Sequence, residues 1–255
     1  MHMGSVLRYV FVLAVIALLW KLLAGVIPSG VLPQPEAAVA AFLVAVQTKF
    51  FWINFWASLF RAGTGMVLSW CIAFPLGVFM GGSRKLDSLL APFVILTYPI
   101  PKIVLLPILL LVLGLGDASK IGMITLILAY QVLVTTRDGV KAVHPKYIDS
   151  VRSLGAGHFR VFTEVLVPAA LPHGFTALRL GTGVSVAVLF FVESFATRKG
   201  LGYLIMDAWS SFDFEGMFVG IFGMSLLGVL LYEIVNILER RACRWKYCQT
   251  RSKGK

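Results

Sequence analysis

The chain has 255 residues, 58% of them hydrophobic and 14% charged, with a mean hydropathy of +0.87 and a formal net charge of +11. So much apolar surface exceeds what a soluble core of this length buries, which excludes an ordinary soluble domain and defines an all-α polytopic membrane protein. Nucleic acid is excluded as a partner, because the basic residues gather between apolar runs and at the C-terminus instead of covering one face of a soluble domain.

The opening MHMGSVLRYVFVLAVIALLWKLLAGV has a basic flank and an apolar stretch, but Lys21 interrupts it and no clean A-x-A cleavage pattern follows. It reads as a retained membrane helix over 6–26, with the native status of residues 1–5 left open. Further spans of roughly 20 residues are predicted at 55–80, 90–115, 119–136, 174–194 and 217–238, about six transmembrane helices in all. Between the first two, prolines break the chain, and the stretch bounded by Glu36 and Lys49 reads as a short interfacial helix that does not cross.

In the second span Gly65, Ser69, Ala73, Gly77 and Gly81 recur every four residues, a stripe of small side chains that lets another helix approach closely. Pro75 in the same span leaves the carbonyl of Cys71 without its helical donor. Ala177, Gly181 and Ser185 repeat the stripe in the fifth span. Such stripes are mostly packing devices. The third span carries Pro92, Pro99, Pro101 and Pro107, which no single regular helix accommodates, so a broken segment is predicted there. Lys102 lies inside it. An intramembrane ammonium needs water, a partner or a free carbonyl, and two readings stand: a cation lining a path for an anion, or a lysine that snorkels to the surface or is held by carbonyls its proline neighbours release.

Glu193 ends the fifth span and reads as a gate or path residue, or as a helix-end carboxylate paired with Arg198. Arg61, Asp117 and Lys120 read as surface or loop charges, and Glu233 as a residue packed on another helix or drawn to the basic tail. None of these forms a set of nucleophile, base and orienting group, so no catalytic residue is predicted. His2, His144, His158 and His173 are scattered without ligand spacing, which argues against a metal site. Cys71, Cys243 and Cys248 are odd in number, lack CxxC spacing and read as free thiols.

Basic residues follow the second span (Arg84, Lys85), the fourth (Arg137, Lys141, Lys146, Arg152, Arg160) and the sixth, where seven stand between Arg240 and Lys255. The alternate loops hold Lys49, Lys120, Arg198 and Lys199. The positive-inside rule therefore puts both termini and the basic tail, 239–255, in the cytosol. There too lies the polar stretch YIDSVRSLGAGHFRVFTEVLVPAALP, residues 147–172. Its first part reads as a short helix stopped by Gly155 and Gly157, and FRVFTEVLV as a second short helix ending before Pro168 and Pro172. A pair this short cannot bury Val151, Leu154, Phe159 and Phe162 by itself, so those side chains are expected to meet the membrane helices or another protein.

At this point the residues resemble a family. Permease subunits of binding-protein-dependent ABC importers share a cytosolic motif of EAA, three residues, G, nine residues, then I-x-L-P. Here Asp149, Ser150 and Val151 stand at EAA, Gly155 at the glycine, and Val165, Val167 and Pro168 at I-x-L-P. The spacing matches throughout, while Asp replaces Glu and neither alanine is kept. The likeness covers most of residues 57–240 and is greatest to the nitrate, sulfonate, taurine and bicarbonate branch; Lys102 departs from the apolar residue expected in many sulfonate and taurine permeases.

The resemblance implies a type I importer fold built as one permease domain over 1–255, with a coupling loop at about 146–168 and a multi-pass place in a bacterial or archaeal cytoplasmic membrane. It implies that Asp149, Ser150, Val151, Leu154, Gly155 and Pro168 couple to a cytosolic ABC ATPase. Pro99, Pro101, Lys102 and Glu193 are the candidate path residues. An extracytoplasmic solute-binding protein, a second permease copy as homodimer and membrane lipid are the other implied partners. No GxxxxGK[ST] loop is present, so no cofactor is expected in this chain, and ATP and Mg belong to the ATPase. The same machinery also serves vitamin precursors such as a thiamine-related pyrimidine. A secondary transporter would show paired broken helices in both halves, whereas only one span is heavily broken here. A membrane enzyme lacks its catalytic set, and a scaffold does not explain the glycine-bent loop.

Overall fold

The computed structural model describes residues 3–27, 31–195 and 197–245, and its regular elements are all helical. In chain order they are α1 (Met3–Val26), α2 (Pro35–Ala45), α3 (Lys49–Gly82), α4 (Arg84–Thr97), a 3₁₀ turn (Lys102–Leu105), α5 (Leu106–Leu113), α6 (Asp117–Lys141) and α7 (Pro145–Ser153). There follow α8 (His158–Val161), a π-helical turn (Phe162–Leu166), α9 (Val167–Glu193), α10 (Leu201–Ser210) and α11 (Phe214–Ala242).

Four helices are long and apolar enough to cross a bilayer: Lys49–Gly82, Asp117–Lys141, His158–Glu193 and Phe214–Ala242. The pair α4 and Lys102–Leu113 is bent by 85° at the proline-rich break, as the spacing of Pro99 and Pro101 predicts, and has the length and composition of either one broken span or a re-entrant loop. The first expected span, 6–26, falls on α1, whose described apolar stretch, Ala14–Val26, is by itself shorter than a crossing needs. Among the described residues the count is thus four, or five with the bent pair, and the sixth expected span is the one that falls on α1. The helix over Pro35–Ala45 is too short to span, as expected, but Lys49 opens α3 rather than closing α2.

The chain divides into two compact units, Met1–Ser58 with Glu193–Leu226, and Leu59–Val192 with Leu227–Lys255. In the first, α1 and α2 are tied by Trp20, whose indole nitrogen donates to the carbonyl of Pro33 at 3.1 Å, and by an ion pair of Lys21 with Glu36. Hydrogen bonding from Lys21 holds the Glu36 carboxyl below its ordinary range. Trp20 stacks on Phe218 at 5.0 Å, while Phe42 meets Phe51 and Phe222 edge-on at 5.7 and 5.6 Å, so aromatic pairs join α1 and α2 to α3 and α11 in this unit.

The second unit is organised around α6. The small-residue stripe of α3 lies against it: a Cβ at Gly65 would stand 2.7 Å from Ile124, one at Gly77 2.8 Å from the Leu133 carbonyl, and one at Gly81 2.6 Å from Val140. Ser69 and Ala73, between them, are buried. On α9, a Cβ at Gly181 would meet Leu128 at 2.6 Å, and Ala177 and Ser185 are buried. Both stripes are therefore packing seams that set helix spacing without large side chains.

Candidate functional site: the polar loop and the bent span

The loop after α6 begins with a local capping device. His144 is the N-cap of α7, its Nδ1 accepting from the Lys146 amide at 3.2 Å, and Pro145 occupies the first helical turn, where its missing N–H costs nothing. At the other end Gly155 has φ +85°. Its amide donates to the Arg152 carbonyl at 2.9 Å and the Ala156 amide to that of Val151 at 3.3 Å, the paired closure of a helix that ends in a left-handed glycine. A Cβ there meets nothing within 4 Å, so the need for glycine is conformational and not steric.

Asp149 is exposed in the body of α7, whose N-terminus is capped by His144. Ser150 spends its hydroxyl on the Lys146 carbonyl at 2.7 Å. Val151 is half-buried, whereas Leu154 is 86% exposed, Phe159 78% and Tyr147 67%. Phe162 is different: it stacks on Phe79 at 4.7 Å. The loop thus keeps one foot on α3 and presents an apolar edge to water.

The second half of the loop is not a separate short helix. From His158 the chain is helical without a break to Glu193, through both Pro168 and Pro172. Pro168 cannot donate to the carbonyl four residues earlier, and its ring crowds that carbonyl; the widened π turn over Phe162–Leu166 lies immediately before it and absorbs the mismatch.

At the bend of α4, Pro99, Pro101 and Lys102 come together. The Lys102 ammonium donates to the carbonyls of Thr97, Tyr98 and Ile100 at 3.1, 2.9 and 3.3 Å, and lies 4.1 Å from the centroid of the Tyr130 ring. These are the carbonyls the proline break leaves without helical donors, so the cation serves as a C-terminal cap for α4. Asp87, near the start of α4, is held by Arg137 and by Lys141 at 2.6 Å, both on α6 next to the loop.

Of the three charges read as surface or loop groups, Asp117 is exposed, while Arg61 and Lys120 are internal. Arg61 is 5% exposed and pairs with Asp117 at 2.7 Å, and Lys120, 1% exposed, donates to the carbonyls of Leu115 and Gly116. Conversely, Glu233 is exposed and accepts from Asn236 on its own helix. Sequence reasoning passed over Glu239, which is fully buried against Arg179 at 2.7 Å. Cys71 is exposed and Cys243 buried; Cys248 lies outside the described residues, as do residues 246–255 of the expected tail. Among the described residues no cluster of His, Cys, Asp or Glu has metal-site geometry.

Glu193 belongs to the first unit and is 1% exposed. Both its oxygens lie 2.8 Å from the hydroxyl of Ser58, and one accepts from the Gly202 amide at 2.9 Å. The Leu201 amide donates to Ser58 Oγ and the Gly200 amide to Asn54 Oδ1, each at 2.8 Å. Three successive amides at the start of α10 are thus met by side chains of α3 and α9, and the carboxylate sits where the helix dipole favours negative charge. Arg198, the partner expected for Glu193, is exposed. Asn54 and Ser58, four apart on an apolar helix, are the signal that sequence reading missed.

A helical membrane protein with a glycine-closed polar loop is the class this geometry defines. The sequence profile of the family described as binding-protein-dependent transport system inner membrane component matches residues 73–243, and the chain belongs to that family of ABC transporter permeases. It is 28% identical over 235 residues to the putative aliphatic sulfonates transport permease protein SsuC of Bacillus subtilis (strain 168), covering 91% of this chain and 85% of that one. With the taurine transport system permease protein TauC of Escherichia coli (strain K12) it shares 30% identity over 219 residues, 84% and 80% of the two chains. Its fold resembles a chain of the MetNI methionine ABC transporter in an inward-facing conformation, with a TM-score of 0.64 at 19% identity over 74% of this chain and 94% of that one.

Proposed function

We propose that this permease subunit forms, with a second copy, the path by which an ATP-driven importer admits a small solute, an anion such as a sulfonate, taurine, nitrate or bicarbonate. The likeness to the SsuC and TauC permeases supports that solute class. Residues 1–255 act as one permease domain in the cytoplasmic membrane of a bacterium or archaeon, termini inward. An extracytoplasmic binding protein delivers the solute, and a cytosolic ATPase supplies the ATP and Mg chemistry. The bend at Pro99, Pro101 and Lys102 borders the path, and Glu193 borders it indirectly, by fixing the start of α10.

The observation that carries the reading is the loop of α7 and Gly155, whose apolar edge at Leu154 and Phe159 is exposed among the described residues while its spacing is that of the family's ATPase-docking element. Asp149, Ser150, Val151, Leu154 and Gly155 make the contact, and Pro168 with its π turn transmits it into α9. Leu154→Asp places a charge on the exposed edge without touching a buried side chain. We expect it to reduce co-purification of the ATPase at least tenfold, with membrane insertion unchanged. Asp149→Arg weakens retention less, because the apolar edge supplies most of the docking energy. Full retention of the ATPase by Leu154→Asp would show that the partner docks elsewhere.

A further inference from the structure

A cavity of about 680 Å³ in the second unit is a groove between α3, α9 and α11 with Leu59 and Trp70 on one side and Leu231 and Ala242 on the other. Each pair is separated by eleven residues of helix, about 16 Å at 1.5 Å per residue. The lining is apolar except for Arg241 at one end. That residue is exposed and has no carboxylate partner among the described residues, while the nearby Glu239 is held by Arg179. Arg240 and Arg244 are exposed beside it, as is Trp245 at 45%. An arginine cluster with a tryptophan at the end of an apolar helix is the composition of a headgroup-level segment.

We propose that this groove holds one acyl chain of an anionic phospholipid, with its phosphate on Arg241. A long, narrow, apolar slot with one cationic end matches a chain of methylenes joined to a negative headgroup, and basic pockets between membrane helices are where such headgroups bind. The competing occupant is a helix of a second copy, which would cover the slot without requiring an anion at Arg241. The positive-inside distribution assigns the Arg241 end to the cytosolic leaflet. The orientation supplies only the leaflet, and the binding itself is independent of the solute transported.

The groove contains its own control. Gly63 lines it, and a Cβ there meets nothing within 4 Å, so Gly63→Leu fills the slot without disturbing a helix seam. The permease, purified with its ATPase in detergent, is titrated with palmitoyl-oleoyl phosphatidylglycerol or phosphatidylcholine and read by native mass spectrometry. The parental chain should retain one phosphatidylglycerol, preferred about fivefold or more over phosphatidylcholine. Arg241→Gln should remove the preference, and Gly63→Leu should remove the retained lipid while weaker adducts persist. Equal retention of the two lipids by the parental chain would overturn the proposal. So would a Gly63→Leu chain that keeps its lipid but changes from dimer to monomer on size exclusion, since a second copy would then be the occupant.

Discussion

Lys102 and Lys120 place two ammonium groups inside or beside apolar helices, and each folds back onto carbonyls that a chain break has freed: Thr97, Tyr98 and Ile100 for the first, Leu115 and Gly116 for the second. A buried cation without such acceptors costs several kcal/mol, so the break and the lysine stabilise one another. The capping role and the proposed effect on an anion path separate in one substitution. Lys102→Gln keeps an amide donor for the carbonyls but has no charge, and we expect it to assemble with near-parental thermal stability while anion uptake falls several-fold and loses part of its salt dependence. Unchanged uptake would leave only the capping role. The prolines around Lys102 made a carbonyl-held lysine legible in the sequence. The pairs of Arg61 with Asp117 and Arg179 with Glu239 were not, because each joins residues about 60 positions apart, and helical periodicity is silent about which faces meet.

Between elements, the glycines of α3 differ sharply. Gly81 faces α6, where an added Cβ stands 2.6 Å from Val140 and 2.7 Å from the Arg137 carbonyl; Gly63 faces open space. Gly81→Ala should therefore destabilise the detergent-solubilised chain by about 1–3 kcal/mol through overpacking. Gly63→Ala should be neutral or stabilising by up to about 1 kcal/mol, because alanine is the better helix former. Aggregation midpoints from heating followed by size exclusion check the pair, and equal midpoints would deny that the stripe is a packing seam. The four-residue repeat made this seam readable in advance. The continuous helix through Pro168 was not readable: a proline normally signals an end, and the π turn that absorbs it has no letter of its own in Phe162–Leu166. The 85° bend, by contrast, followed from four prolines in one apolar run.

For the whole molecule, the spacing from Asp149 to Pro168 was enough to place the chain in its family, and the proposed docking role explains why spacing carries that signal when the letters differ. The solute left no comparable trace, as expected if selectivity rests largely with a separate binding protein. The orientation is testable with single cysteines in a chain cleared of Cys71, Cys243 and Cys248. At Ser211, exposed, a membrane-impermeant thiol reagent should label intact cells; at Ser153, also exposed, it should label only after permeabilisation. Labelling of Ser153 from outside would invert the topology. The central claim, that the Gly155 loop couples an ATPase to the membrane helices, is tested most directly by Gly155→Val in the complex reconstituted with its ATPase and binding protein. Valine at φ +85° is strained by at least about 1–2 kcal/mol, while the absence of any atom within 4 Å of the new Cβ spares the membrane helices. Measured as solute taken up per ATP hydrolysed, the account predicts a fall of tenfold or more with insertion and dimer formation intact; parental uptake and parental stimulation of hydrolysis by the loaded binding protein would contradict it.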